Sequence, residues 1–157
     1  MHAKTYTIED LLKMAIQREI ASQYLYKKLV ERVTHSGTQY VLGLLIQQEK
    51  EHQLILEKYL QGNFQSGVLD LTHTVDYHIA ENFDQPEINT EMDLPVVFLL
   101  AANREKEAHE FYQRIAGMHP PGGPRALLEK LANEELGHKQ NVEQMYTEVA
   151  FPQTDGG

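Results

Sequence analysis

One spacing, used twice, constrains this chain more than any other feature. Glu19, Glu49 and His52 recur as Glu105, Glu135 and His138, each displaced by 86 positions. In both copies a Glu-x-x-His follows a lone Glu by 30 residues. A single Glu-x-x-His is easily met in a chain with 23 acidic residues and 8 histidines. Two of them, each behind a matching Glu and related by one offset, are not a product of chance. Four carboxylates and two imidazoles form a ligand set for two metal ions, and the repeat implies a pseudo-twofold axis between them.

The spacing fits helices. Apolar residues at alternating steps of three and four predict four long amphipathic segments, over about 8–34, 38–60, 94–116 and 125–149. Thr7-Ile8-Glu9-Asp10 reads as a capping box opening the first, and His35-Ser36-Gly37 as its stop. The second ends at Gly62-Asn63, the third opens at Asp93-Leu94-Pro95, and a Gly- and Pro-rich run over 117–124 separates it from the fourth. The core seams read Leu12, Ala15, Glu19, Ser22, Tyr26, Leu29, Val33; Leu42, Leu45, Glu49, His52, Leu56, Tyr59; Phe98, Ala101, Glu105, Ala108, Tyr112, Ile115; and Leu128, Leu131, Glu135, His138, Val142, Met145. Each candidate ligand stands mid-seam among apolar neighbours. Exposed charge on solvated helix faces would not put it there.

Short connections make helices one and two, and three and four, antiparallel pairs. The stretch over 61–93 is long enough to run the length of a helix, so it predicts a crossover that leaves helices two and three parallel. With a rise of about 1.5 Å per residue, all six polar groups fall near mid-bundle. An ionised carboxylate in a bundle core costs several kcal/mol. Four of them together require counter-charge, which two divalent cations supply while the imidazoles bind neutral. A Glu from each of two helices plus Glu-x-x-His from each of the others is the di-iron or di-manganese bundle pattern. Oxygen and nitrogen donors without sulfur suit iron or manganese, and zinc also fits. Small Ala15, Ser22, Ala101 and Ala108 leave room beside the metals for a small oxidant. Tyr26 and Tyr112 share the 86-residue offset and stand two turns beyond a Glu, positioned either to pack or to hydrogen-bond a ligating carboxylate. His109 beside the third seam reads as a surface histidine. His73, Asp76 and His78 read as a cover segment, and Glu31 with His35 as helix-end electrostatics.

Length and composition point to one domain over 1–157. A net charge of −9 argues against nucleic-acid or anionic-membrane binding. The absence of cysteine excludes disulfides, thiolate metal sites and thiol catalysis. No apolar run approaches a membrane span, and the start shows no signal peptide, so the expected location is cytoplasmic.

The segments "AIQREIASQYLYKKL", "QQEKEHQLILEKYL", "REKEAHEFYQRIA" and "ANEELGHKQNVEQM" resemble the four helices of rubrerythrin-type proteins in the ferritin-like di-iron superfamily. The resemblance implies an all-α, ferritin-like four-helix bundle. It also implies two Fe ions on Glu19, Glu49, His52, Glu105, Glu135 and His138, reacting with hydrogen peroxide or dioxygen. Glu49 and Glu135 would bridge, Glu19 and Glu105 would be terminal or bridging, and the histidines would be terminal. The family's appended rubredoxin domain has no counterpart here, which implies an external donor such as a separate rubredoxin-like protein. The family's extra Glu one turn beyond the third-helix ligand is replaced by Ala108, and Lys50 stands where bacterioferritin holds haem with Met. A homodimer is the implied assembly. The function expected is a non-haem di-iron oxidoreductase of the peroxidase or oxidase type. Iron handling as a ferroxidase is an alternative, weakened by the lack of a fifth helix. A bundle merely stabilised by metal is another, and a hydroxylase of an organic substrate has no pocket to recommend it.

Overall fold

The computed structural model describes residues 5–62, 74–76 and 87–152. Its elements in chain order are β1 (Thr5–Thr7), α1 (Ile8–Arg32), α2 (Ser36–Leu60), β2 (Thr74–Asp76), α3 (Leu94–Gly117) and α4 (Gly123–Ala150). The four helices form an all-α, ferritin-like bundle.

The helix ends follow local chemistry. Asp10 N donates to Thr7 Oγ1 and Thr7 N to Asp10 Oδ2, both at 3.0 Å, completing the capping box. Between α1 and α2 the sequence expectation needs correcting. His35 does not pair with Glu31 at a helix end; its Nδ1 accepts from Thr38 N at 3.2 Å and caps α2. The second helix therefore starts at Ser36, and Gly37 lies in its first turn instead of stopping the first helix. A Cβ at Gly37 would stand 2.8 Å from the His35 ring, so glycine makes room for the cap. After α2, Gly62 turns the chain at φ +76°, a conformation that favours glycine.

The core divides into two apolar halves. One joins Leu11, Leu12 and Ala15 of α1 to Leu56 and Tyr59 of α2, Tyr112 and Ile115 of α3, and Leu128 and Leu131 of α4. The other joins Leu25, Tyr26 and Leu29 to Leu42 and Leu45, Val97, Phe98 and Ala101, and Val142 and Met145. The start of α1 thus meets the end of α2, the end of α3 and the start of α4. That pattern is possible only if α1 is antiparallel to α2, α3 is antiparallel to α4, and α2 and α3 run the same way. The crossover needed for it passes through 63–86, of which only β2 is described. There β2 pairs antiparallel with β1 in the register Tyr6↔Val75, so the crossover is tied to the threshold of α1. Sequence patterning does not reveal this short ladder, although Thr-Tyr-Thr and the Thr-Val of β2 suit extended pairing.

The seam residues are buried as the periodicity requires, except Ser22 and Ala108, which are half-buried. None of the described helices is long and apolar enough to cross a membrane.

Candidate metal centre

Between the two apolar halves lies a polar layer. Glu19, Glu49, His52, Glu105, Glu135 and His138 are each at most 3 % exposed. Two groups of four draw their ligand atoms within 4.8 Å of one another: Glu19, Glu49, His52 and Glu135, and Glu49, Glu105, Glu135 and His138. Glu49 and Glu135 belong to both groups, whereas each of the others belongs to one. All six side chains singled out from sequence are therefore brought together. The pair on the Glu-x-x-His helices stands in the shared position.

The 86-residue offset reappears in the contacts. Tyr112 OH donates to Glu19 Oε1 at 2.6 Å, and Tyr26 OH donates to Glu105 Oε1. His52 Nδ1 lies 2.7 Å from Glu135 Oε1, and His138 Nδ1 lies 2.6 Å from Glu49 Oε1. The two imidazoles stack with centroids 5.5 Å apart. Both tyrosines thus hydrogen-bond a carboxylate of the cluster, each reaching across to the opposite half of the repeat. Phe at either position would strand a buried carboxylate oxygen. Tyr26→Phe and Tyr112→Phe are each expected to lower stability by roughly 1–3 kcal/mol, by similar amounts, as read by chemical denaturation of the metal-free protein.

The electrostatics follow from burial and crowding. Burial raises the Glu49 carboxyl well above its ordinary value, and the charges of Glu105, Glu135 and Glu19 add to it. Glu135 is raised well above likewise, by burial and then by Glu105 and Glu19. Burial also acts to raise Glu19 and Glu105, but hydrogen bonds from a neighbouring carboxyl, an imidazole and a tyrosine hold both below the ordinary value. Burial would depress the histidines. The carboxylates outweigh it, Glu135 and Glu19 pushing His52 up to about 11, and Glu105 and Glu135 pushing His138 up to about 10. Burial, with the charge of the carboxylate each one touches, raises both tyrosines well above the ordinary phenol value, so they remain hydroxyl donors.

The donor set fits two divalent cations on an observation of its own. Among the described residues, Glu19 Oε2, Glu49 Oε1, Glu105 Oε2 and His138 Nδ1 are buried without a hydrogen-bond partner. The short approach of His138 Nδ1 to Glu49 Oε1 lacks hydrogen-bond geometry, so both atoms remain unsatisfied. Buried polar groups are rarely left so. Four in one layer, all of metal-ligating type, would be completed by cations. A cavity of about 20 Å³ reaches the layer between α1 and α3, past Arg18, Ser22, Arg104 and Ala108. It is on the scale of one or two waters. Of the small residues expected to leave room, Ser22 and Ala108 line this cavity, whereas Ala15 and Ala101 are packed into the apolar halves.

Other candidates fall elsewhere. His109 Nδ1 lies 2.6 Å from the Ala132 carbonyl and does not join the cluster. His73 and His78 lie outside the described residues, and of Asp76 only the backbone is described. Sequence reasoning missed two participants. His52 Nε2 lies 2.5 Å from Glu134 Oε2, and His138 Nε2 lies 2.5 Å from Gln48 Oε1. Gln48 and Glu134 obey the same offset and immediately precede Glu49 and Glu135. That position was the available signal, and the differing residue types hid it.

Residues 10–146 match the rubrerythrin family model. The chain is similar to a hypothetical protein from Pyrococcus furiosus at 24 % identity, covering 95 % of this chain and 94 % of that one with a TM-score of 0.73. A candidate ferritin-like diiron-carboxylate protein from Thermotoga maritima is similar at 18 % identity, covering 94 % and 99 % with a TM-score of 0.70. At these identities both likenesses speak for the fold. No curated protein matches the chain.

Proposed function

Because the chain belongs to the rubrerythrin family, we propose that it is a di-iron oxidoreductase that reduces hydrogen peroxide or dioxygen with electrons from a separate donor. The observation carrying this reading is the buried layer in which two four-residue groups share Glu49 and Glu135. Glu19, His52 and the shared pair would hold one iron; Glu105, His138 and the same pair would hold the other. When bound, a ferrous pair supplies the two electrons that, with two protons, take hydrogen peroxide to two waters.

The protein's own part is positional. Tyr112 OH and Tyr26 OH hold one oxygen each of Glu19 and Glu105, leaving Oε2 of each carboxylate for metal. The imidazoles turn Nδ1 toward the cluster and Nε2 toward the rim. Leu45 and Leu56 on α2, and Leu131 and Val142 on α4, close the layer above and below against water. The cavity beside Ser22 and Ala108 admits a molecule of peroxide's size. A rubredoxin-like protein is the donor we assign, and a soluble homodimer the assembly.

Stopped-flow mixing of the ferrous protein with hydrogen peroxide tests the reading. Oxidation should be faster than that of free ferrous ion by orders of magnitude, and should stop at two irons per chain. A rate equal to free iron sinks it. Uptake of iron far beyond two per chain points instead to iron handling.

A further inference from the structure

The repeat that builds the centre is broken behind the two imidazoles, where a break bears on metal affinity. Each imidazole is held from behind by a residue on the opposite Glu-x-x-His helix. His52 of α2 reaches Glu134 of α4, and His138 of α4 reaches Gln48 of α2, both at 2.5 Å from Nε2. With Nδ1 given to a metal, Nε2 would keep the proton, and its acceptor must be an oxygen. Gln48 accordingly presents Oε1 and not its amide nitrogen. Glu134 presents a carboxylate, 39 % exposed and with Lys130 Nζ 3.9 Å from its other oxygen. One imidazole is therefore anchored by an anion and the other by a neutral amide. Each half also has a tyrosine on its terminal Glu and a shared Glu beside Nδ1, although His52 Nδ1 hydrogen-bonds Glu135 whereas His138 Nδ1 approaches Glu49 without hydrogen-bond geometry.

A hydrogen bond from the distal ring N–H to a carboxylate draws the proton outward and raises electron density at the coordinating nitrogen. A neutral amide oxygen does this more weakly. We propose that Glu134 and Gln48 are positioning residues that make the two metal sites unequal. The Glu19–His52 site, backed by Glu134, binds a divalent ion more tightly and fills first. The Glu105–His138 site, backed by Gln48, fills second. This rests on the di-iron reading above and adds an order of occupancy to it. A chain with one tightly held and one loosely held ion passes through a defined mononuclear state before the pair is complete.

Titration of the full, metal-free chain with Co(II), followed by calorimetry and by the visible d–d bands, tests the inference. The wild type should bind two Co(II) per chain in two resolved steps, with dissociation constants roughly ten- to a hundredfold apart. Glu134→Gln should weaken the tighter step and merge the two. Gln48→Glu should tighten the weaker step and merge them from the other side. The double exchange should separate them again. A purely structural role would shift the melting temperature of the metal-free variants but could not restore a separation by exchanging the two residues. Two Co(II) bound in a single wild-type step, or a separation unchanged in Glu134→Gln, overturns the inference and leaves the di-metal reading standing. Fewer than two Co(II) per wild-type chain overturns that reading, and this inference with it.

Discussion

Glu49→Gln should hold at most one iron per chain, lose the rapid reaction of the ferrous protein with peroxide, and yet be as stable as the wild type, or more so, when metal-free. The reason is that this carboxylate is a burden until a cation arrives. Glu49 is 1 % exposed and belongs to both ligand groups, and its Oε1 is buried without a hydrogen-bond partner. Burial raises its carboxyl well above the ordinary range, with the charges of Glu105, Glu135 and Glu19 adding to it. In the metal-free chain it therefore holds a proton more tightly than an exposed glutamate, crowded by other carboxyl groups. Gln has the same shape and no charge to desolvate, and its amide can donate to Glu19 as the Glu49 carboxyl does, so substitution preserves the interaction that Glu49 makes in the fold. As a ligand it loses the second anionic oxygen that lets one side chain serve two cations.

Metal content after anaerobic ferrous reconstitution, paired with calorimetric melting of the metal-free forms, reads both halves of this expectation. For a chain of this size about 1 kcal/mol corresponds to roughly 2–4 °C. A metal-free Glu49→Gln protein melting many degrees below wild type would mean that the carboxylate supports the fold through its own contacts. The centre would then be a structural polar network, and the reading of a dinuclear site would lose its energetic basis.

Much of this arrangement is legible in the sequence because two independent periodicities agree. Steps of three and four set the seams, and the offset of 86 sets the pairing of Glu19 with Glu105, Glu49 with Glu135 and His52 with His138. Helix rise then puts the six at one height, since depth in a bundle is a linear function of residue number. The approach of Tyr26 to Glu105 and of Tyr112 to Glu19 follows from the same arithmetic, although each tyrosine serves the other half of the repeat. What escapes is whatever depends on side chains leaving the seam. Gln48 is exposed and Glu134 half-buried, so both look like ordinary rim residues. Only the direction of Nε2 gives them a purpose. The start of α2 escapes because a histidine is an unusual cap, and its neighbour Gly37 mimics a stop signal. The ladder of β1 and β2 escapes because three residues carry no period, and their pairing depends on where a long crossover happens to pass.

Loading two divalent ions into the metal-free protein at neutral pH should release about two protons or more. His52 and His138, pushed up to about 11 and about 10, are imidazolium in the metal-free cluster. Glu49 and Glu135, raised well above their ordinary value of 4.5, hold protons more tightly than Glu19 and Glu105, which are held below it and are ionised. The two imidazolium rings and the two ionised carboxylates offset one another in the metal-free layer. Coordination requires four carboxylates and two neutral rings, so the two ring protons must leave, together with any proton on Glu49 or Glu135. Each released proton makes affinity rise about tenfold per pH unit. The metal-free fold has the opposite dependence from its histidines. Their folded values lie above the ordinary 6.5, so the stability they contribute is complete below 6.5 and is lost as pH rises through 10 to 11. The raised glutamates act in the same direction, their contribution fading as pH climbs above 4.5. Between pH 6.5 and 9, melting temperatures should therefore fall for the metal-free chain and rise for the metal-loaded one at fixed total metal. Calorimetric titrations in buffers of differing ionisation enthalpy count the protons directly. Release of fewer than two would mean that the rings are already neutral before metal arrives, and that the histidines are not balancing the carboxylates in the metal-free layer.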